Sequence, residues 1–172
     1  VVEGSLRSDT ILSQIGSRSQ AEKIVEIDEK MINFLVFQLG KYLFAFHGSQ
    51  AREILPFTGI TWIPGATALI PGVINVRGDV AAVLDLKQVL SISETGRGVT
   101  GGFFVMVREG DGRNGILVDN IVDVVDVPVS ANVQLLPTMD ERFRRFASSQ
   151  FEYENKMVTV LDVVWIIEKV NS

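Results

Sequence analysis

An eight-residue stretch, Val83-Leu84-Asp85-Leu86-Lys87-Gln88-Val89-Leu90, returns near the C-terminus as Val160-Leu161-Asp162-Val163-Val164-Trp165-Ile166-Ile167, and this echo limits the fold more than any other feature. In both copies an aspartate follows a strand-like run and precedes an apolar-x-x-apolar-apolar pattern. That is the arrangement of a helix cap whose carboxylate accepts backbone N–H groups, so Asp85 and Asp162 are expected to be structural caps rather than acid–base groups. A second pair, Phe34-Leu35-Val36-Phe37 and Phe103-Phe104-Val105-Met106, opens a hairpin in each copy. The two echoes are 69 and 77 residues apart, so the later copy carries extra residues in its loops, where insertions are tolerated. The chain therefore reads as a duplicated β module.

Strands are predicted at 34–39 and 42–46, joined by Gly40-Lys41, a two-residue loop with glycine first, as a type II′ hairpin requires. Further strands are predicted at 53–57, 72–77, 80–84, 103–108, 115–118, 121–125, 151–153 and 157–161. Many are apolar throughout instead of alternating, which implies cover on both faces of the sheet. A lone barrel would leave its outward positions polar; two small barrels packed together would not. The class is mainly β. Residues 1–30 are polar and mixed in charge, and are expected to form a flexible extension, with a short helix behind Asp9 as the alternative; residues 31–172 form the folded domain. Gly96-Arg97-Gly98-Val99-Thr100-Gly101-Gly102 reads as a flexible connection between the repeats.

Charge and composition remove several function classes. Sixteen basic against 21 acidic residues give a net charge of -5, with no electrostatic footprint for a phosphate backbone, so nucleic acid is not an expected partner. No apolar run is long enough to span a bilayer, and residues 1–30 lack the apolar block of a signal peptide. The absence of cysteine excludes disulfides and thiolate chemistry, and a cytoplasmic location is expected. The single histidine, His47, cannot build a multi-histidine metal site, and no local signature joins it to a nucleophilic serine. Asp119, Asp123 and Asp126 sit on a β-branched segment unlike a calcium loop and read as edge-strand charge. In Glu141-Arg142-Phe143-Arg144-Arg145-Phe146 the phenylalanines are expected to anchor a helical turn while the arginines face water. No enzyme activity, metal or cofactor is expected.

Arg77 is of another kind. Hairpin tips select Asn, Gly or Asp, yet Arg77 precedes Gly78 between two strongly apolar strands. It is either an exposed turn residue or a guanidinium held out as an interface anchor, a role in which arginine is enriched.

Asn75-Val76-Arg77-Gly78, followed by Val80, Val83 and Asp85-Leu86, resembles the signature of CheW-like domains, the adaptors of bacterial chemosensory arrays. The resemblance runs from about Phe34 to Ile167, through Arg52-Glu53-Ile54, Pro71-Gly72-Val73, Gly115-Ile116-Leu117-Val118-Asp119 and Val160-Leu161-Asp162. It implies two intertwined SH3-like five-stranded barrels with swapped or shared strands, short helices and a C-terminal helix. It also implies a non-catalytic adaptor at membrane-associated receptor arrays. Its partners would be the cytoplasmic tips of chemoreceptors and the regulatory domain of the histidine kinase CheA. By the same resemblance, Arg77, Glu53, Gly72, Asn75 and Gly78 are the expected partner-binding positions, with Gly72 where a partner approaches closely. The chain departs from the family pattern at Ala82, Ala51 and Ser148-Ser149, which points to a specialised pathway, such as one driving pili, as an alternative output. A purine-binding module is the alternative of another class, without support from phosphate- or base-recognising residues.

Overall fold

The computed structural model describes residues 29–92 and 101–172; the expectations for the N-terminal extension and for the 96–102 connection lie outside these, but for the last two residues of each segment. Contacts divide the chain into a unit ending at Met31 and a unit Ile32–Ser172. Apart from the first residue of β1, the elements of the described residues belong to the second unit. In chain order they are β1 (Met31–Leu39), β2 (Tyr42–His47), β3 (Ala51–Pro56), β4 (Thr61–Trp62), β5 (Gly72–Val76), β6 (Asp79–Asp85) and α1 (Leu86–Val89). There follow β7 (Phe103–Glu109), β8 (Gly112–Val118), β9 (Asn120–Pro128), a 3₁₀ turn (Val129–Ala131), α2 (Glu141–Arg144), β10 (Ala147–Tyr153), β11 (Lys156–Leu161) and α3 (Val163–Asn171).

The strands form two sheets, of order β10-β11-β2-β1-β9 and β3-β7-β8-β6-β5-β4. Exchanging β1 for β7, β2 for β8, β9 for β3, β10 for β5 and β11 for β6 converts one order into the other, with β4 left as an added edge. Each sheet thus combines a hairpin from one repeat with three equivalent strands from the other, and β4 makes a fourth in the larger sheet. In each sheet one junction between the repeats is parallel: Thr159 and Val160 of β11 sit beside Phe44 and Ala45 of β2, and Ala82 and Val83 of β6 beside Asn114 and Gly115 of β8. The duplication is real and its halves are intertwined, giving barrel I (β1, β2, β9–β11) and barrel II (β3–β8).

The apolar run in each central strand follows from this arrangement. Along β1, Phe34 and Val36 point into barrel I with Phe151 and Val160, while Leu35, Phe37 and Leu39 point into a second layer shared with barrel II. Along β7, Phe104 and Met106 fill barrel II with Ile74 and Leu117, while Val105 and Val107 enter the shared layer. Strand side chains alternate between faces, so a strand with a core on each side is apolar at every position. Phe37, Phe44 and Phe46 are fully buried in the shared layer, where truncation of any one to alanine would cost about 3–5 kcal/mol.

These facings correct the alignment of the first echo by one residue. Phe34 corresponds to Phe104, not Phe103, because both fill a barrel interior, and the hairpin registers agree: Phe34 faces His47, and Phe104 faces Leu117. A one-residue slip would exchange the two cores. The turns repeat as well. Gly40 (φ 57°) and Gly110 (φ 54°) each open a two-residue turn whose second residue has negative φ, as type II′ requires. Arg77-Gly78 (φ 53° and 87°) is matched by Glu154-Asn155 (φ 47° and 63°), both pairs left-handed at two residues as in type I′. The backbone of the Arg77 tip is therefore duplicated, though its chemistry is not.

Strand boundaries extend by two or more residues beyond the sequence expectation at β1, β3, β8, β9 and β10, and β4 carried too few residues to show a pattern. Asp85 accepts from the backbone N–H of Lys87 and Gln88, and Asp162 from that of Trp165, with the same cap dihedrals, φ -85° and ψ 97°. Phe143 and Phe146 are buried as expected, but Arg142 does not simply face water. It donates to both carboxylate oxygens of Asp140, to the Ser91 carbonyl at 2.9 Å and to the Tyr42 hydroxyl at 3.2 Å. Its guanidinium thereby links the start of β2 in barrel I to the turn that follows α1.

Candidate functional site: the wall of an inter-barrel cleft

The hairpin of β5 and β6 pairs Val76 with Asp79 and leaves Arg77-Gly78 as its tip. Asn75 fixes the tip from within, its Oδ1 accepting the Gly78 N–H at 2.9 Å. Gly78 supplies the second left-handed position at no steric cost, whereas Arg77 occupies the first against the preference of a residue with a Cβ. The guanidinium turns back from the tip to Glu53 on β3. Arg77 Nη1 donates to Glu53 Oε2 at 3.0 Å, and Nη2 donates to Oε1, a fork-to-fork pair.

This pair reports closure of barrel II. In the sheet order β3 and β5 are separated by β7, β8 and β6, which in a flat sheet would put them about 19 Å apart, beyond the reach of the two side chains. The side chains meet because the sheet curls onto itself. Barrel I has a counterpart tie, in which the Tyr153 hydroxyl at the end of β10 donates to Asp123 on β9 at 2.8 Å. That bond raises the pKa of the Tyr153 phenol, since the neutral form is the donor.

The two ties differ in what they expose. The Arg77 side chain is 74% exposed and that of Glu53 30%, so the pair presents one face of a positive fork to solvent while Glu53 is held as its base. Glu53 also lines a cleft of about 350 Å³ between the barrels. One side is Asn33 and Leu35 of β1 with Val124 of β9; the other is Ala51 to Ile54 of β3. Ile54 and Val124 are exposed apolar residues at this cleft. Gly48 also lines it, and a Cβ there would fall 2.0 Å from Asn33 Oδ1, so a larger residue would have to displace the Asn33 side chain. An apolar floor beside a preorganised ion pair suits recognition of a protein surface.

Four of the five expected partner-binding residues come together here: Glu53, Arg77, Asn75 and Gly78. Asn75 and Gly78 act on the backbone of the tip, and Arg77 and Glu53 supply its chemistry. Gly72 lies at the far end of β5, about 13 Å from Val76. A Cβ there would meet the Thr61 carbonyl oxygen at 2.2 Å, so the close approach that demands glycine comes from β4 of this chain. Asp85 and Asp162 stand at the helix starts, away from the tip. Burial raises the pKa of Asp85 against the lowering effect of its two backbone N–H bonds. The ring of His47 packs on Phe34 with centroids 4.9 Å apart. Sequence reasoning missed Ile54 and Val124 as cleft residues. Their only signal was apolar character at outward positions of edge strands.

The family model for the CheW-like domain matches residues 33–171. Among curated proteins, the chain is 29% identical over 150 residues to a chemotaxis protein CheW of Bacillus subtilis, covering 86% of this chain and 92% of that one. It is 24% identical over 141 residues to a chemotaxis protein CheW of Thermotoga maritima, covering 82% and 91% respectively. Among solved structures, the scaffolding protein CheW of Thermoanaerobacter tengcongensis superimposes with a TM-score of 0.69 at 22% identity, covering 80% of this chain and 88% of that one. At that identity the likeness speaks for the fold.

Proposed function

The chain belongs to the CheW-like domain family, and from that membership we propose that it is a non-catalytic chemosensory adaptor that couples chemoreceptor tips to the regulatory domain of the histidine kinase CheA. The observation that carries this reading is the exposed Arg77 fork paired with Glu53, which itself lines an apolar inter-barrel cleft. A partner carboxylate can add to the free edge of the guanidinium while apolar side chains settle on Ile54 and Val124, so affinity and register come from separate groups. Among the described residues no helix is long and apolar enough to cross a membrane. In this reading the chain acts in the cytoplasm and reaches the array through its partners.

The test is co-sedimentation of the chain with receptor-bearing membranes and kinase, comparing wild type with Arg77→Asp. The variant is expected to leave the pellet while staying folded, with a melting temperature within about 4 °C of wild type, because an exposed tip charge contributes little to the core. Assembly and kinase control unchanged by Arg77→Asp would defeat the assignment of Arg77.

A further inference from the structure

The duplicated fold builds the same surface hollow twice and lines it with different chemistry. In barrel I the hollow lies between the β1–β2 turn and the start of β11, over Tyr42, Phe44 and Thr159. In barrel II it lies between the β7–β8 turn and the start of β6, where Gly112, Asn114 and Ala82 hold the same positions. The correspondence is one of backbone, since the turns Gly40-Lys41 and Gly110-Asp111 match and the β10–β11 and β5–β6 hairpins match through their left-handed tips. Counted back from those tips, the pair Gln150 and Thr159 across β10 and β11 falls where barrel II has Val73 and Ala82. A buried amide and hydroxyl are therefore not something that this position in the fold requires.

Gln150 is 6% exposed and Thr159 7%. The Gln150 carbonyl oxygen accepts the Leu136 N–H at 3.0 Å, which accounts for the acceptor end of the amide. Its Nε2 carries two hydrogens and has one partner among the described residues, Thr159 Oγ1 at 3.5 Å, the outer limit of a hydrogen bond. A buried donor is costly to leave unmade, so this amide is placed to donate to an acceptor that enters the hollow. The walls around it are aromatic: Phe143 meets Tyr42 and Phe44 edge-on, with ring centroids 4.9 and 5.0 Å apart. Lys41 and Lys156 stand exposed at the rim, neither in an ion pair among the described residues. The acid that lines the hollow, Asp140, is already held by Arg142 at 2.6 Å. In barrel II the rim is acidic, with Asp111 and Asp79 in place of the two lysines, and no ring lines the walls.

We propose that the barrel I hollow binds a small aromatic carboxylate with a phenol-type oxygen at its far end. The volume, about 390 Å³, and the combination of apolar walls with a few placed polar groups are those of a small-molecule site. The ring of the ligand packs against Tyr42 and Phe143, its carboxylate meets the two ammonium groups at the rim, and its oxygen accepts from Gln150 Nε2 at the floor. The walls are too aromatic for a bare inorganic anion and the rim too basic for a cation. Barrel II offers neither the rings, the ammonium groups nor the buried amide, so the site belongs to one copy of the duplication. This goes beyond the adaptor reading and does not depend on it.

The experiment is a two-dimensional amide NMR titration of the full chain with 4-hydroxyphenylacetate at low salt. Saturable shifts are expected at residues 41–44 and 156–159 and at the Gln150 side-chain amide, with a dissociation constant below about 1 mM. Phenylacetate, which lacks the hydroxyl, binds about threefold or more weakly, and tyramine, which carries the opposite charge, at least about tenfold more weakly. The double variant Lys41→Gln with Lys156→Gln melts like wild type and loses affinity by at least about tenfold. Arg108→Gln with Lys169→Gln, the same change in net charge outside the hollow, binds like wild type. The proposal is overturned by any of four results: no saturation up to about 5 mM, well above the expected constant; shifts centred elsewhere, as at Glu53 and Arg77; phenylacetate or tyramine binding as tightly as the hydroxy acid; or the two double variants losing affinity equally or not at all. None of them bears on binding of kinase or receptor at the Arg77 cleft.

Discussion

Arg77→Asn separates the two roles open to the Arg77 fork, since an arginine that tied the barrel shut and one held out for a partner respond differently. The native residue sits at φ 53°, where a non-glycine side chain carries strain on the order of 1 kcal/mol, and asparagine tolerates this region better than arginine. Against that gain stands loss of the pair with Glu53. With the Arg77 side chain 74% exposed, solvent screening limits the pair to about 0.2–1 kcal/mol despite its two-pronged geometry. The two terms oppose each other and are of similar size, so the net change in stability is expected to lie within about 1 kcal/mol of zero. For a chain of this length that is a shift of about 2–4 °C in either direction. Thermal and urea melts of wild type, Arg77→Asn, Glu53→Gln and the double variant give a cycle whose coupling term should not exceed about 1 kcal/mol. Partner binding, measured on the same samples, should fall for Arg77→Asn although the fold is intact. A coupling energy above about 2 kcal/mol would refute the reasoning, because Arg77 would then be a structural latch of barrel II.

Gly72→Ala should destabilise by about 1–3 kcal/mol, since the added methyl meets the Thr61 carbonyl oxygen at 2.2 Å and must push β4 from its two-residue pairing with β5; a urea melt reads the loss, and an unchanged midpoint would contradict it. Asp162→Ala removes the acceptor of the Trp165 N–H at the start of α3, whose Val163, Ile166 and Ile167 are buried in the shared layer; a cost of about 1 kcal/mol, or about 2–4 °C in the melting midpoint, is expected. The Arg142 guanidinium beside Asp140 holds its carboxyl down at about 2. A depressed carboxylate pKa contributes stability above its unfolded value, near 3.9, and that contribution disappears as pH falls through the folded value. The melting difference between wild type and Asp140→Asn should therefore be constant near neutrality, shrink below about pH 4 and be gone near pH 2.

The layered architecture was legible because apolar residues occupied consecutive strand positions. In a strand such as Phe34-Leu35-Val36-Phe37 no single buried face accounts for four large side chains in a row, and the shared layer between barrels supplies the second face. The same continuity hid the register. With both faces apolar, nothing in Phe103-Phe104-Val105-Met106 says which residue looks into a barrel and which into the shared layer, so the echo could be set one residue out of place. Only the partner strands distinguish the faces. The exchange of hairpins between repeats was implied by the family resemblance but hidden in the residues themselves for a related reason, since β2 joins β11, and β8 joins β6, across parallel junctions between residues far apart in the chain.

The site was legible in its tip and not in its wall. Arg77 drew notice because it broke a local rule of turn chemistry, and Asn75 and Gly78 serve that turn through one hydrogen bond and one left-handed backbone position. Its pairing with Glu53 is a property of closure, created when a sheet curls far enough to bring its first and fifth strands together, and no local pattern in β3 announces it. Glu154-Asn155 shows the converse. It repeats the backbone of the Arg77 tip with residues that share none of its chemistry, because a type I′ turn constrains φ and leaves the outward side chain free. Duplication therefore preserved geometry at both tips and left their side chains to diverge. In barrel I the closing tie became a neutral phenol on Asp123, while in barrel II it is a charged fork with most of its surface in water. A tie needed only for closure could have been the phenol in both barrels; a mostly exposed guanidinium adds little to closure, and that is the physical reason to look for its role in a partner.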